Sequence, residues 1–361
     1  MVNNLRSRYI VINARFLTQP ITGVQRFAIE ICRFLKDILP NVHFVAPSNI
    51  KHQELAKEFK VETFGKFSSH FWEQLELPLY LHRSGKPLLV NLCNTAPVYY
   101  SNKVVCIHDL ASLINPQWFS KSFAAVYKIL IPKVAGSSKK IITVSNFSKA
   151  SIHSILHIPQ KDIEVVYNAV SESFVSNNYP ASENKYGRYI LAVSSIDPRK
   201  NLKNLVEGYK LANLTGVKLV IVGAASKVFN DPNLKHFVQG REDIVFTGYL
   251  PDKDLVQVYK NALMLVYPSL FEGFGIPPLE AMYCGCPTIV SNTSSLPEVC
   301  ANASLYVNPL LPNEIANGIK LLAENEEIRK KLVLKGFKRS QEFSWKKSAG
   351  KLANIINTLN N

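Results

Sequence analysis

The sequence predicts an α/β protein of two doubly wound, parallel-sheet domains, and three observations carry that prediction. Short, near-continuously apolar runs recur along the chain, amphipathic segments of helix length separate several of them, and the alternation breaks once over a polar stretch near the middle. Strands buried on both faces by covering helices read as continuous apolar runs rather than as alternating ones.

Taken in order, the first half holds runs at Tyr9–Ile12, Val42–Ala46, Leu88–Leu92, Val104–Ile107, Ile141–Val144 and Ile163–Val166. The second half holds Tyr189–Val193, Val217–Val222, Ile244–Thr247, Leu263–Tyr267, Pro287–Val290 and Leu305–Val307. After the first run, Val24, Phe27, Ala28, Ile31, Leu35 and Ile38 recur at the spacing of a helix that buries one face. Residues 171–188 are polar and include Pro180 and Gly187, the composition of a linker. The expected division is a first domain over 1–172, a linker over 173–187, a second domain over 188–343 and a final helical segment over 344–361. Ligands of such sheets bind beyond the carboxyl ends of the strands.

The bulk numbers agree with this size. At 361 residues the chain exceeds one ordinary core, and 47% hydrophobic against 19% charged residues suits a folded, core-forming protein. No uninterrupted apolar stretch reaches the length of a spanning helix, and the N-terminus runs into a strand without the apolar stretch of a secretory signal. The six cysteines (Cys32, Cys93, Cys106, Cys284, Cys286, Cys300) form no CxxC pair and no ligand spacing with histidine, which fits buried, reduced thiols. The net charge of +15 is spread out, without a run of five like charges or a nucleic-acid module. That distribution fits a phosphate-bearing ligand or an anionic membrane surface better than nucleic acid.

Tyr267-Pro-Ser-Leu-Phe-Glu272-Gly273-Phe274-Gly275-Ile-Pro-Pro-Leu-Glu280 is the most informative stretch. It follows an apolar run, its glycines permit close approach of backbone to a ligand, and Pro277 and Pro278 suit a first helical turn. The loop should therefore present a helix N-terminus, with free N–H groups and a partial positive charge. Glu272 and Glu280 can converge across it on paired sugar hydroxyls. Each glutamate alone also fits a plain turn or a helix start.

Ser194-Ser195-Ile-Asp-Pro-Arg199-Lys200-Asn201 puts two cations after another strand, suited to a diphosphate leaving group or simply to solvent. His108-Asp109 ends a first-half strand, a position for packing or for a ligand contact. Gln19-Pro-Ile-Thr22-Gly23-Val-Gln-Arg26 enters the first helix, with Thr22 as its expected N-cap.

Glu272 and Glu280 within Phe-Glu-Gly-Phe-Gly-x-Pro-x-Leu-Glu-Ala-Met resemble the signature of the retaining GT-B glycosyltransferases of family 4, and the likeness extends over nearly the whole chain. The resemblance implies two Rossmann-like domains facing a central cleft, with the last helix crossing back to the first. It implies Glu272 beside the donor sugar, Glu280 on the ribose hydroxyls, and backbone groups of Gly273, Phe274 and Gly275 on sugar and diphosphate. It places Arg199 and Lys200 on the diphosphate, although Ser194-Ser195 stands where many members have Gly-Arg, which leaves the division of labour open. It places His108 on the donor sugar, and with Glu272, Arg199 and Lys200 makes it part of the catalytic set. Gly23 would lie by the diphosphate, Arg26 by the acceptor, and Gly248 and Tyr249 with Ser195 among the donor contacts. Asn146 and Ser148 resemble the start of a helix at the domain interface, and Glu298 a structural position.

The implied reaction is transfer of a hexose, with retained configuration, from a nucleotide diphosphate sugar to a glycan or lipid-linked acceptor. The Thr-Gly-Val-x-Arg loop and the Pro-Arg-Lys-Asn element most resemble mannosyltransferases of O-antigen and exopolysaccharide assembly. GDP-mannose is the first expected donor, with other nucleotide hexoses, rhamnose donors included, behind it. No cofactor is expected, and no Asp-x-Asp metal motif stands out. A dinucleotide oxidoreductase would need G-x-G-x-x-G, which does not occur. A silent carbohydrate- or nucleotide-binding scaffold is the reading that donor hydrolysis would exclude. Residues 118–140 combine Trp118, Phe119, Phe123, Tyr127 and Ile131 with five lysines. They read either as a helix packed on the sheet or as a contact with an anionic membrane, and the expected location is the cytoplasm, at the cytoplasmic face of the inner membrane in the second case.

Overall fold

A computed structural model describes residues 9–175, 179, 184–194, 197–223 and 238–360. The chain packs as two compact units. One runs through Asn168 and takes in the C-terminal stretch from Ser344; the other spans Ala169–Phe343.

The first unit is built on a seven-stranded sheet of order β3-β2-β1-β4-β5-β6-β7. Its strands are β1 (Ile10–Asn13), β2 (Val42–Ala46), β3 (Glu62–Thr63), β4 (Leu88–Asn91), β5 (Lys103–Cys106), β6 (Lys140–Thr143) and β7 (Ile163–Val165). Every pairing is parallel, and β1 lies between β2 and β4, with Ile10 opposite both Val42 and Leu88. The strand order reverses at β1, so the carboxyl ends of β1 and β4 open the crevice where such sheets take ligands. β3 was not legible as an apolar run: it is a two-residue edge strand, exposed at both positions.

The first helix, Gly23–Ile38, buries Phe27, Ala28, Ile31 and Leu35. Ile38, expected on that face, is exposed at the last position of the helix. Against this helix lies the C-terminal helix Trp345–Asn360, with Trp345 buried and its ring 5.9 Å from that of Phe27. The Ser348 hydroxyl donates to the Tyr167 carbonyl at 2.7 Å, so this last segment is bonded into the first unit.

The second unit carries a six-stranded parallel sheet of order β10-β9-β8-β11-β12-β13. Its strands are β8 (Tyr189–Val193), β9 (Lys218–Val222), β10 (Ile244–Gly248), β11 (Met264–Tyr267), β12 (Thr288–Ser291) and β13 (Leu305–Val307). The reversal falls at β8, and the glycine-rich loop leaves its neighbour β11. Helices Leu202–Ala212 and Pro312–Glu324 cover one face, with Val206, Tyr209, Ile315 and Ile319 packed on Ile190, Leu219 and Met264. Of the stretch read as a linker, Glu172–Val175 forms a helical turn that buries Phe174, 6.2 Å from the Tyr259 ring, and Ser173 donates to Asp252 at 2.5 Å.

All six cysteines are free thiols. Burial pushes Cys93 and Cys284 up to about 12, so neither is a nucleophile at neutral pH.

Candidate active site

The glycine loop of the second unit folds as its residue types require. Gly275 caps the Ile276–Tyr283 helix with φ at +101°, and a Cβ there would lie 2.6 Å from Leu296 Cδ2. Glycine is therefore needed for both conformation and space. Gly273 is different: its φ is not positive, so the expected conformational reason for glycine does not apply there. Pro277 and Pro278 occupy the first turn, where a missing N–H breaks no helical bond. Ser295 fixes the loop by sharing its hydroxyl proton between the carbonyls of Glu272 and Phe274, both at 2.9 Å. Phe274 is buried edge-on against Phe343 at 5.5 Å, so of this residue only the backbone remains for a ligand.

Glu272 is buried, and its Oε1 accepts three bonds: from Lys200 Nζ at 2.6 Å, the Tyr267 hydroxyl at 2.7 Å and the Ser269 hydroxyl at 2.6 Å. Among the described residues no donor reaches Oε2. Burial pushes this carboxyl up, but Lys200, then Arg199, and the bonds from Lys200 and Ser269 outweigh it, and the pKa ends below the ordinary glutamate value. Glu272 is thus a held carboxylate with one oxygen left for a ligand hydroxyl. Glu280 is buried on the helix and accepts from the Tyr259 hydroxyl at 3.0 Å. The Tyr267 hydroxyl is pushed up by burial, then by Glu272, and also by Glu280, so it senses both carboxylates.

The two cations sit on a 3₁₀ turn, Pro198–Lys200, capped by Asp197, whose Oδ1 accepts from the Arg199 N–H at 3.0 Å. Arg199 Nε is paired with Asp197 Oδ2 at 2.9 Å, and Lys200 with Glu272. Neither cation is a solvated surface charge. Asn201 then takes φ of +57° and donates to the carbonyls of Pro268 (3.0 Å) and Pro309 (2.6 Å). With the Leu270 N–H donating to the Arg199 carbonyl at 2.7 Å, this joins the cation turn to the glycine loop. Tyr267, Ser269, Asn201 and Ser295 were not singled out from the sequence. Tyr267 and Ser269 stand in the motif itself, and only their partners show their role.

The structure does not draw every expected residue into this cluster. Gly248 ends β10 with φ of +73°, its carbonyl accepting from Gly223 N–H at 2.9 Å, while Tyr249 beside it is 78% exposed. Ser195 lies outside the described residues. One Asp-x-Asp string does occur, Asp252-Lys253-Asp254. It opens the Asp252–Asn261 helix, where Asp252 is bonded by Ser173 and both acids complement the helix dipole.

In the first unit His108 follows β5 and is buried, its ring edge-on to Phe27 at 5.0 Å. Nε2 donates to the Leu92 carbonyl at 2.9 Å, and burial holds the ring pKa below the ordinary histidine value. The neutral tautomer with Nε2–H leaves a lone pair on Nδ1. Ser148, the third residue of the Asn146–Leu156 helix, donates to the His108 carbonyl at 2.9 Å, and Asn94 accepts from the His108 N–H at 2.8 Å. Asn146 donates to the Tyr167 hydroxyl at 2.9 Å. Asp109 accepts from the Ala111 N–H at 2.9 Å, which shapes the loop. Thr22 takes the N-cap of Gly23–Ile38, with Gln25 accepting its N–H at 3.2 Å; Gly23 is exposed without positive φ, and Arg26 is half-buried one turn on.

The model for glycosyl transferases group 1 matches residues 176–339, and that for glycosyltransferase family 4 matches residues 21–174. O-antigen chain mannosyltransferase B of Escherichia coli is 30% identical over 268 residues, 71% of this chain and 70% of that protein. O-antigen chain mannosyltransferase RfbU of Salmonella typhimurium is 29% identical over 240 residues, 66% of this chain and 65% of that protein. Anabaena HepE, solved with UDP and glucose, aligns over 97% of this chain and 100% of its own at TM-score 0.77 and 16% identity. WaaG, a glycosyltransferase of lipopolysaccharide biosynthesis, aligns over 96% and 99% at TM-score 0.73 and 15% identity. With two parallel sheets, each reversing at its first strand, and both family models matching in succession, the chain belongs to the group 1, family 4 glycosyltransferases of GT-B fold.

Proposed function

We propose that this glycosyltransferase moves a hexose, mannose from GDP-mannose, to a glycan or lipid-linked glycan acceptor in surface polysaccharide assembly, with retained configuration. The observation that carries the reading is Glu272, locked through Oε1 by Lys200, Tyr267 and Ser269 and open at Oε2. The mannosyltransferase names of the relatives support the choice of sugar.

In this reading Glu272 Oε2 accepts a hexose hydroxyl, and Glu280 holds the ribose. Arg199, Lys200 and the N-terminus of the Ile276–Tyr283 helix take up charge on the diphosphate as its bond to the sugar C1 breaks. The acceptor oxygen forms the new bond to C1 on the same face, and its proton passes to the departing phosphate oxygen. His108, neutral, offers Nδ1 as acceptor to a sugar hydroxyl. The nucleotide sugar is a co-substrate, and no cofactor enters the scheme. Purified protein incubated with a panel of nucleotide sugars should release nucleoside diphosphate fastest from GDP-mannose. Faster release from a rhamnose or glucose donor would replace the sugar. Release from none would leave the scaffold reading.

A peripheral membrane contact at the cytoplasmic face of the inner membrane is the second part of the proposal, favoured by one face of the first unit. The Lys121–Gly136 helix buries Ile131 but leaves Val126 and Ile129 exposed, the latter by 60%. Residues 69–83 continue the face: His70 lies 6.1 Å from Tyr127, and Phe71, 70% exposed, is followed by exposed Leu75 and Leu79. Residues 110–161 carry seven lysines and no acid. Exposed apolar side chains on a helix that itself carries Lys121, Lys128 and Lys133 and no acid suit an anionic bilayer. No helix among the described residues is long and apolar enough to cross a membrane. Flotation with anionic but not neutral liposomes is expected, and its loss in Phe71→Glu/Ile129→Glu; flotation independent of lipid charge would count against the contact.

A further inference from the structure

The first unit holds a second polar cluster that the donor scheme does not use. Asn13 ends β1, Asn91 ends β4, and both lie where the strand order reverses. Glu73 enters from Trp72–Glu76, a π-helical turn between Ser69–Phe71 and Leu77–Arg83. Such turns are rare and recur at functional sites. Glu73 Oε1 accepts from Asn13 Nδ2 at 2.8 Å and from Arg15 Nε at 3.1 Å; Oε2 accepts from Thr95 at 2.8 Å and Arg15 Nη2 at 3.4 Å. Arg15 Nη2 also donates to Thr95 at 2.8 Å.

Two donors are left over. Arg15 is only 5% exposed, yet among the described residues nothing accepts from its Nη1. Asn91 is 1% exposed, and its Nδ2 is buried without a partner while Oδ1 accepts from Asn13. Both residues line a small cavity of about 10 Å³, together with Gln19, Glu73, Cys93 and Thr95. Buried donors are seldom left unbonded, so Asn91 Nδ2 in the wall of a cavity of this size calls for a single oxygen, which Arg15 Nη1 can also reach as a donor.

The cavity lies beside the elements already assigned. Leu92, another wall residue, is the carbonyl to which His108 Nε2 donates. Gln19, on the opposite side in sequence, accepts from Gln25 Nε2 at 2.7 Å, and Gln25 bonds Thr22, so the Thr22-Gly23 loop is tied to the same wall.

We propose that this cavity is a recognition subsite for one hydroxyl of the acceptor sugar, with Arg15 and Asn91 as the donors that fix it and Glu73, Asn13 and Thr95 as positioning residues. The proposal rests on the glycosyl-transfer reading above. Charge selects the ligand class. Arg15 is already matched by Glu73 at 3.1 Å, so a phosphate or carboxylate would leave a buried net negative charge, whereas a neutral hydroxyl does not. The hydroxyl oxygen accepts from Arg15 and Asn91, and its own proton can go to Gln19 or Thr95.

The experiment uses the full chain with whichever nucleotide sugar it hydrolyses, and octyl glycosides of mannose, glucose, galactose, N-acetylglucosamine and rhamnose as probe acceptors, with the deoxy analogues of the best one. Asn91→Ala removes one donor. Cys93→Val narrows the cavity without touching the network, and keeps the test alive if Asn91→Ala does not fold, as thermal melting will show. Loss of one buried hydrogen bond should raise the acceptor KM about tenfold, with the donor KM moving less than twofold. The variants should also lose the discrimination that wild type shows against one deoxy analogue. A folded variant with unchanged acceptor KM, or with donor and acceptor KM rising together, would overturn the subsite and leave the cavity to a structural water. Donor hydrolysis without transfer to any glycoside would overturn it too, and leave the donor-site reading standing. Absence of hydrolysis from every nucleotide sugar would fall on that donor-site reading instead.

Discussion

Glu272 illustrates how a buried carboxylate is kept charged: three donors converge on one oxygen, and Lys200 with Arg199 outweighs the cost of burial. Tyr267→Phe removes one of those donors and leaves the ion pair, so donor KM should rise several-fold with little change in melting, read by steady-state kinetics and calorimetry. Glu280→Ala should weaken donor binding and leave the Tyr259 hydroxyl without its acceptor, which titration with nucleotide alone would detect. In the first unit Glu73 is held down to about 2; burial alone would raise it, and Arg15, the nearby His70 ring at 3.5 Å and the bond from Thr95 reverse that. A carboxylate depressed in the folded state stabilises fully above its unfolded pKa and loses that contribution as pH falls through the folded one. Glu73→Gln should therefore cost roughly 3 kcal/mol at pH 7, and the gap in melting temperature from wild type should narrow between about pH 4.5 and pH 2. Such residues were only half legible in the sequence. Glu272 and Lys200 stand in motifs, but Arg15, Glu73 and Asn91 lie dozens of residues apart, and nothing local in the chain links them before the sheet forms.

Among the elements, the glycine loop carries the strictest local requirement. Gly275→Ala meets both a left-handed φ and Leu296, and should destabilise by about 1–3 kcal/mol while displacing the first N–H groups of the Ile276–Tyr283 helix. Thermal melting together with donor KM would register both effects; a variant that kept wild-type donor KM would show that the helix start is not a ligand contact. The strands were legible because their chemistry is local. Each of the twelve apolar runs is a strand of the structure; β2, β8 and β13 keep the expected ends, and in the others one or both ends shift by a residue. β3 escaped because a two-residue polar edge strand leaves no apolar signature. The π-helical turn at Trp72–Glu76 escaped because its extra residue obeys no hydrophobic period: it turns Trp72 and Glu73 inward and leaves Phe71, Leu75 and Leu79 outside.

On the scale of the whole molecule, each unit reverses its strand order once, and each brings a polar cluster to that reversal: Asn13 and Asn91 in the first, the Pro198–Lys200 turn and the glycine loop in the second. The C-terminal helix belongs to the first unit, so Trp345→Ala should destabilise that unit by about 3–5 kcal/mol, although the residue follows the second unit in sequence. This long-range return was not readable from composition; only the family resemblance suggested it. The exposed apolar face near Phe71 and Ile129 likewise combines two segments some fifty residues apart, of which the sequence pointed to one. All of these features bear on function through one claim, that the second unit binds a nucleotide diphosphate hexose and takes up the charge of its leaving group at Lys200. The most direct test is nucleoside diphosphate release from GDP-mannose by wild type and by Lys200→Ala at matched folding. The account predicts release from wild type and near abolition in the variant; equal turnover in the two proteins would contradict it.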